Sequence, residues 1–253
     1  GRPNRMCCPC RPSIGGSRPR LGAITGRPVP STAVSATPGD LNLATAWEAS
    51  ADSVGDLPAL AFEGRRTSWE RFEDRAARLA GFLTDHGLGP DAKVALYCYN
   101  GPEYSEAQFG AFKARAVPAN VNYRYLGNEL AYVLDNADAQ AVFFDHTLAE
   151  RVDEVRNTCP MLRVAVQVGG EEIPDWAVGY EEALAAGRMP TVDRSGDDLW
   201  FLYTGGTTGS PKAVMWSHRG LFGGMAETFR SLGEEVPTTA AEAGRISARV
   251  TGE

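Results

Sequence analysis

The sequence has no long hydrophobic run and little positive charge. None of its apolar stretches approaches the roughly 18 to 20 uninterrupted residues of a membrane-spanning helix. Its 25 lysines and arginines are outnumbered by 32 aspartates and glutamates, which gives a net charge of −7. A nucleic-acid-binding protein needs a basic face. The composition therefore predicts a protein with no transmembrane segment and no nucleic-acid partner.

Cysteine and histidine are also scarce, with five and three residues in a chain of 253. Three cysteines fall within residues 7–10, but no second group of cysteines or histidines is present to complete the four ligands of a zinc site. We therefore expect no metal held by these residues. Cys98 and Cys159 lie in apolar or helical surroundings, which predicts buried free thiols. The lack of a disulfide framework favours a reducing, cytoplasmic location.

Residues 1–40 contain no lysine and show no helical or strand periodicity. They include six arginines, seven prolines and one acidic residue, Asp40, so that the segment carries +5 and the remainder of the chain −12. No apolar core follows the arginines, which excludes a secretory signal. The prolines disfavour the amphipathic helix of a transit peptide. We expect a disordered leader, or non-native sequence upstream of the true start.

From residue 41 onward, short apolar runs alternate with amphipathic segments. The runs predict strands at 93–98, 141–145 and 164–168 and an edge hairpin at 59–67. Helical periodicity is found at 43–50, 69–83, 100–115, 128–136, 147–158, 180–186 and 221–229. This alternation predicts an α/β fold with mixed sheets flanked by helices over residues 41–236. Residues 237–253 are expected to form a patternless tail.

The most informative stretch is residues 203–212, Tyr-Thr-Gly-Gly-Thr-Thr-Gly-Ser-Pro-Lys, which lies between two short apolar runs. Glycines let a ligand approach the main chain, and consecutive N–H groups can form an anion nest. The hydroxyls and the lysine add donors and positive charge, and no acidic residue opposes an anion. A flexible connection between strands is the plainer alternative, but the combination favours phosphate binding. The predicted phosphate ligands are Thr204, Gly205, Gly206, Thr207, Thr208, Gly209, Ser210 and Lys212.

This loop differs from a Walker loop. A Walker loop ends in Gly-Lys-Ser/Thr and opens a helix, with the hydroxyl on magnesium. Here Pro211 precedes the lysine and Ala213 follows it. The proline favours extended backbone at Ser210. We therefore expect backbone amides, hydroxyls and Lys212 to bind phosphate without the help of a helix dipole.

The loop resembles the phosphate-loop signature of the adenylate-forming superfamily, which includes acyl-CoA synthetases, fatty-acyl-AMP ligases, luciferases and nonribosomal adenylation domains. One departure is Ala213, where the family usually has glycine; His218 stands where many members carry histidine. Residues 121–136 are similar to actinobacterial-type acyl-CoA synthetases that act on fatty acids or sterol side chains. The resemblance covers roughly residues 41–236 and implies the partial N-terminal, AMP-binding (adenylation) domain of such an enzyme.

By this resemblance the chain is part of an ATP-dependent, AMP-forming acid–thiol ligase. Such an enzyme uses ATP and Mg²⁺ to convert a small-molecule carboxylic acid to acyl-AMP, and then transfers the acyl group to coenzyme A. The family's adenine-binding motif with its magnesium-ligating glutamate, its ribose-binding aspartate and the catalytic lysine of its C-terminal domain have no counterpart in the sequence. We therefore expect a fragment that is inactive alone.

Three alternatives remain open. The chain could be a non-catalytic nucleotide-binding half-domain or pseudo-enzyme. It could belong to a fatty-acyl-AMP ligase, which differs in the acceptor of the acyl group. It could also be a different α/β phosphate binder, although the loop of such a protein would be expected to open a helix, which Pro211 disfavours.

Overall fold

The computed structural model describes residues 41–189, 191–205 and 210–251. The leader predicted for residues 1–40 lies outside the described residues. So do four of the predicted phosphate ligands, Gly206, Thr207, Thr208 and Gly209.

The described residues alternate between helices and strands along most of their length. The helices are α1 (Leu43–Val54), α2 (Trp69–Asp85), α3 (Pro102–Lys113), α4 (Gly127–Asn136), α5 (Ala149–Arg156), α6 (Tyr180–Ala183), α7 (His218–Gly224), α8 (Ala226–Ser231) and α9 (Ala240–Thr251). The strands are β1 (Pro58–Phe62), β2 (Arg65–Ser68), β3 (Lys93–Tyr97), β4 (Val117–Asn120), β5 (Ala139–Asp145), β6 (Val164–Val168), β7 (Val178–Gly179), β8 (Leu199–Thr204) and β9 (Lys212–Ser217).

Seven of these strands form one mixed sheet of order β7-β6-β5-β3-β4-β8-β9. Neighbouring strands run parallel from β7 to β8, and β9 pairs antiparallel with β8 at the edge. Strands β1 and β2 form a separate antiparallel hairpin. The prediction of an α/β fold with mixed sheets flanked by helices is confirmed. Among the described residues, no helix is long and apolar enough to cross a membrane.

The parallel strands are buried on both faces, as a sheet covered by helices requires. Successive side chains point to opposite faces, so that Phe143 of β5 packs with α2 and α3 while Phe144 packs with α4 and α5. A third, aromatic cluster joins α1 to α2 and α3 around Phe72 and Phe112. Cys98 and Cys159 are buried free thiols, as predicted. Burial raises the pKa of both thiols.

The segment from residue 237, in which we saw no sequence pattern, contains helix α9. This helix lies against α1 through small side chains: Ala243 and Gly244 are buried, and the hydroxyls of Ser50 and Ser247 are 2.7 Å apart. Gly244 lies so close to α1 that a Cβ atom there would be 2.9 Å from the carbonyl oxygen of Ala49. The expectation of a patternless tail is therefore wrong for residues 240–251: the helix is amphipathic, but of its buried residues Ala243, Gly244 and Ile246 only Ile246 has a large apolar side chain.

Candidate functional site

The predicted phosphate loop joins the two antiparallel strands β8 and β9. Thr204 lies opposite Lys212 and Trp200 lies opposite Trp216 in their register. Thr204, Gly205, Ser210 and Lys212 are all exposed. The described ends of the loop therefore present hydroxyl groups and an ammonium group to solvent. The loop connects strands and does not open a helix, as the flanking apolar runs and Pro211 predict.

The loop lies at the edge of the sheet where the parallel strands end. Because β4 and β8 are parallel neighbours, the chain that leaves β4 passes beside the start of the loop. The Tyr97 hydroxyl at the end of β3 donates to the Tyr125 carbonyl oxygen at 2.6 Å and fixes this segment. A Cβ atom at Gly205 would be 4.0 Å from the Tyr125 hydroxyl. The carboxyl ends of parallel strands are the usual place for ligands in α/β folds.

Tyr203, the last residue before Thr204, is held by two asparagines. The side chain of Asn120 accepts from the Tyr203 backbone N–H at 2.6 Å and donates to its carbonyl oxygen at 3.0 Å. The Tyr203 hydroxyl donates to Oδ1 of Asn136 at 2.9 Å. Burial raises the pKa of Tyr203, so the hydroxyl remains a donor at neutral pH. The sequence analysis missed both asparagines. A signal was available for Asn120 alone, because asparagine is depleted in strands and Asn120 ends strand β4.

The other end of the hairpin is attached to the rest of the fold by an ion pair. Arg115 binds the Asp198 carboxylate through Nη2 at 2.9 Å and Nε at 3.1 Å. Asn42, which caps α1, donates to the same carboxylate at 3.0 Å. The hydrogen bond with Asp198 raises the pKa of Arg115. These contacts fix the base of β8.

His218, which stands where many members of the superfamily carry histidine, lies at this same base. Its Nδ1 accepts from the Leu43 backbone N–H at 3.2 Å, its ring packs edge-on against Phe112, and its side chain is fully buried. Burial lowers its pKa to about 4, so it is neutral and its proton is on Nε2. Strand β9 runs for six residues from Lys212 to Ser217, about 20 Å of extended chain, so His218 secures the base of the hairpin, far from Lys212.

The described residues do not fit a magnesium ion held by protein ligands. Magnesium prefers carboxylate oxygens, and residues 203–212 contain no acidic residue. No group of three or more histidine, cysteine, aspartate or glutamate side chains among the described residues could hold a metal ion. The described ends of the loop thus offer hydroxyl and ammonium groups and no carboxylate.

Two kinds of comparison point to one family. The chain matches the model of the AMP-binding enzyme family over residues 47–242. It is 42% identical over 184 residues to a 3-oxocholest-4-en-26-oate–CoA ligase of Rhodococcus rhodochrous, covering 70% of this chain and 33% of the relative. It is 39% identical over 193 residues to the medium-chain acyl-CoA ligase Mig of Mycobacterium avium, covering 69% and 35%.

A solved structure supports the same fold. The anthranilate CoA ligase AuaEII in complex with anthranoyl-AMP has a TM-score of 0.69 and 19% identity, and the match covers 74% of this chain and 36% of that one. The chain thus spans about a third of the length of the curated relatives that it matches. With a family model matched over most of its length, the chain belongs to the AMP-binding enzyme family.

Proposed function

We propose that this chain carries the phosphate-binding hairpin of an AMP-forming acyl-CoA ligase. The observation that carries the proposal is the pair of exposed loop ends between β8 and β9, with Thr204 opposite Lys212 at the carboxyl edge of the parallel strands. The remaining proposed phosphate ligands are Gly205, Gly206, Thr207, Thr208, Gly209 and Ser210. We assign the partial AMP-binding domain to residues 41–236 and place the protein in the cytoplasm.

The reaction explains why a loop of this composition is needed. A carboxylate is a poor electrophile, so one of its oxygens attacks the α-phosphorus of ATP and pyrophosphate leaves. The thiol of coenzyme A then attacks the acyl carbon and AMP leaves. Negative charge shifts onto the departing pyrophosphate, and preorganised N–H, O–H and ammonium groups stabilise that charge. In this scheme Lys212 and the loop hydroxyls bind the phosphates, while the acid is bound elsewhere.

The acid is proposed to be a fatty acid or a sterol side-chain carboxylic acid. The support comes from the relatives, which are named as ligases of 3-oxocholest-4-en-26-oate and of medium-chain acyl groups. Coenzyme A as acceptor, in preference to the carrier of a fatty-acyl-AMP ligase, follows from the same names. The described residues contain no part that we assign to the acyl pocket.

The second candidate is a half-domain that binds nucleotide without catalysis. It is favoured by the described ends of the loop, where Thr204, Ser210 and Lys212 expose hydroxyl and ammonium groups suited to phosphate. Carboxylate-dependent exchange between ATP and pyrophosphate tests whether the 253-residue chain is catalytic by itself. We expect the 253-residue chain to bind ATP but to show no exchange above background, whereas robust exchange would show that this chain alone holds the catalytic groups.

The direct test of the loop is Lys212→Ala, with ATP binding to the 253-residue chain measured by calorimetry. Loss of a charge-assisted contact to phosphate costs about 1.5 to 3 kcal/mol, so we expect binding to weaken at least about tenfold. Lys93→Ala is the matched control, because Lys93 is at the amino end of β3, the opposite edge of the sheet. Equal affinities for the wild type and Lys212→Ala would refute the assignment of the loop.

A further inference from the structure

We propose that Asn120 is a positioning residue for the phosphate loop and acts through the backbone of Tyr203. The inference rests on the proposed function, since it assigns to the loop the role of binding phosphate. It concerns a residue outside the loop sequence, at the end of β4.

The first step is the way in which two strands end. Strands β4 and β8 share one backbone pair within the described residues, Ala119 with Phe201. Strand β4 ends one residue later, at Asn120, whereas β8 continues to Thr204. The β4-facing side of Tyr203 therefore has no backbone strand beside it. Its N–H and C=O groups need partners, because unpaired buried backbone groups are costly.

The second step is the chemistry of the side chain that fills this position. A carboxamide carries an acceptor oxygen and a donor nitrogen in one plane, as a peptide group does. The Asn120 amide uses both, accepting from Tyr203 N–H at 2.6 Å and donating to Tyr203 C=O at 3.0 Å. It thus takes the place of the missing strand residue. An alanine offers neither group, and an ionised aspartate offers acceptors alone.

The third step connects this pairing to the loop. Tyr203 is followed directly by Thr204, which lies opposite Lys212 on β9. The side chain of Tyr203 is held separately, by the hydrogen bond to Asn136 at the end of α4. With its backbone and its side chain both fixed, Tyr203 sets where the Thr204–Lys212 pair enters the loop. Groups held in place before binding lose less freedom when the phosphate arrives.

The test is Mg·ATP binding to the 253-residue chain carrying Asn120→Ala or Asn120→Asp. The loss of both hydrogen bonds, only partly expressed in binding, predicts affinity about tenfold lower for Asn120→Ala at pH 7.5. Asn128→Ala is the matched control, since Asn128 is an exposed asparagine on α4. Wild-type affinity is expected for this control.

The aspartate variant separates positioning from a general loss of stability. Ionised at pH 7.5, its carboxylate faces the Tyr203 carbonyl oxygen and binding should be weak. The protonated acid has one O–H donor and one acceptor, like the amide. Because the Tyr203 carbonyl oxygen and the loss of solvent disfavour the charged form, the pKa of this carboxyl should lie above its ordinary value of about 3.9, and the ratio of Asn120→Asp affinity to wild-type affinity should rise as the pH falls from 7.5 to 5. A weak variant whose ratio does not change with pH would overturn the proposal.

Hydrogen exchange at the Tyr203 amide, followed by NMR, gives a readout that is independent of ATP. We expect faster exchange in Asn120→Ala and no change in Asn128→Ala. If the wild type binds ATP and Asn120→Ala binds it equally well, the positioning role is wrong and the proposed function stands. If the folded wild type does not bind ATP, the proposed function fails and the role in phosphate binding fails with it, even where the exchange result shows the hydrogen bonds.

Discussion

The parallel strands and the terminal hairpin of the same sheet are stabilised in different ways. In β5, five of seven residues are buried and the other two are intermediate. In β9, no residue is buried and four of six are exposed. Helices cover both faces of the parallel strands, whereas Val214 and Met215, which point to opposite faces, are both exposed. One region is a closed hydrophobic core, and the other presents a loop.

The difference shows what fixes the loop in place. The parallel region is stabilised by the burial of large apolar side chains, which is not directional. The hairpin is positioned by directional contacts at its two ends, the Asn120 amide near the loop and the Arg115–Asp198 pair with His218 at the base. Such polar contacts contribute modest net stability but define geometry closely. Within the hairpin, Phe201 and Tyr203 of β8 join the core, and β9 is the strand that depends least on it.

The largest effect expected from this comparison comes from truncation of a core phenylalanine. Phe143→Ala removes a side chain with no exposed surface and should lower the free energy of unfolding by about 3 to 5 kcal/mol. Met215→Ala removes a side chain that is 54% exposed and should change it by less than about 1 kcal/mol. Urea denaturation followed by circular dichroism measures both. Equal losses would mean that the hairpin belongs to the same core.

The next effect is a dependence of stability on pH that originates at the base of the hairpin. The pKa of His218 is about 4 in the folded chain against an ordinary value of 6.5. Between these values the unfolded chain binds a proton that the folded chain does not. The free energy of unfolding should therefore be highest above pH 6.5. It should decrease by up to about 3 kcal/mol as the pH drops toward 4. Unfolding free energies measured at several pH values give the slope.

His218→Gln is the control for this prediction. A glutamine side chain can also accept from the Leu43 N–H but does not titrate. The variant should lose some stability at pH 7 and show a shallower pH dependence between pH 6.5 and 4 than the wild type. If wild type and variant show the same slope of unfolding free energy against pH, His218 is not the group responsible. Water would then reach the base of the hairpin more than the burial of His218 indicates.

A smaller effect is expected where α9 meets α1. This helix follows the hairpin in sequence but packs against α1, near the start of the described residues. In Gly244→Ala the new Cβ would lie 2.9 Å from the Ala49 carbonyl oxygen and 2.6 Å from the Ser53 hydroxyl, so we expect a loss of about 1 to 3 kcal/mol. At Gly223 of α7 no atom lies within 4 Å of a Cβ, and Gly223→Ala should be neutral or slightly stabilising. A neutral Gly244→Ala would show that α9 contributes little to the fold.

The same contrast between regions explains what could be predicted from the sequence. Strands such as β5 and helices such as α2 were predicted because burial leaves a periodic apolar pattern. The loop between β8 and β9 was predicted because its residue types have a specific chemistry. Helix α9 was missed although it is amphipathic, because Ala243 and Gly244 form much of its buried face and only Ile246 adds a large apolar side chain. The pairing of Asn120 with Tyr203 joins residues 83 positions apart, and no local pattern in a single sequence indicates a contact of that range.

The smallest effect on stability should come from substitutions in the exposed strand β9. They test most directly whether this strand differs from the buried parallel strands. Val214→Thr and Met215→Thr together keep a residue type that favours strands while removing apolar surface that the structure leaves exposed. The free energy of unfolding should change by no more than about 0.5 kcal/mol. Self-association, measured by sedimentation velocity, should decrease, because an exposed apolar edge strand promotes pairing between chains. A large loss of stability with unchanged association would instead mean that these side chains are packed against the fold, and that the hairpin is a buried element like β5.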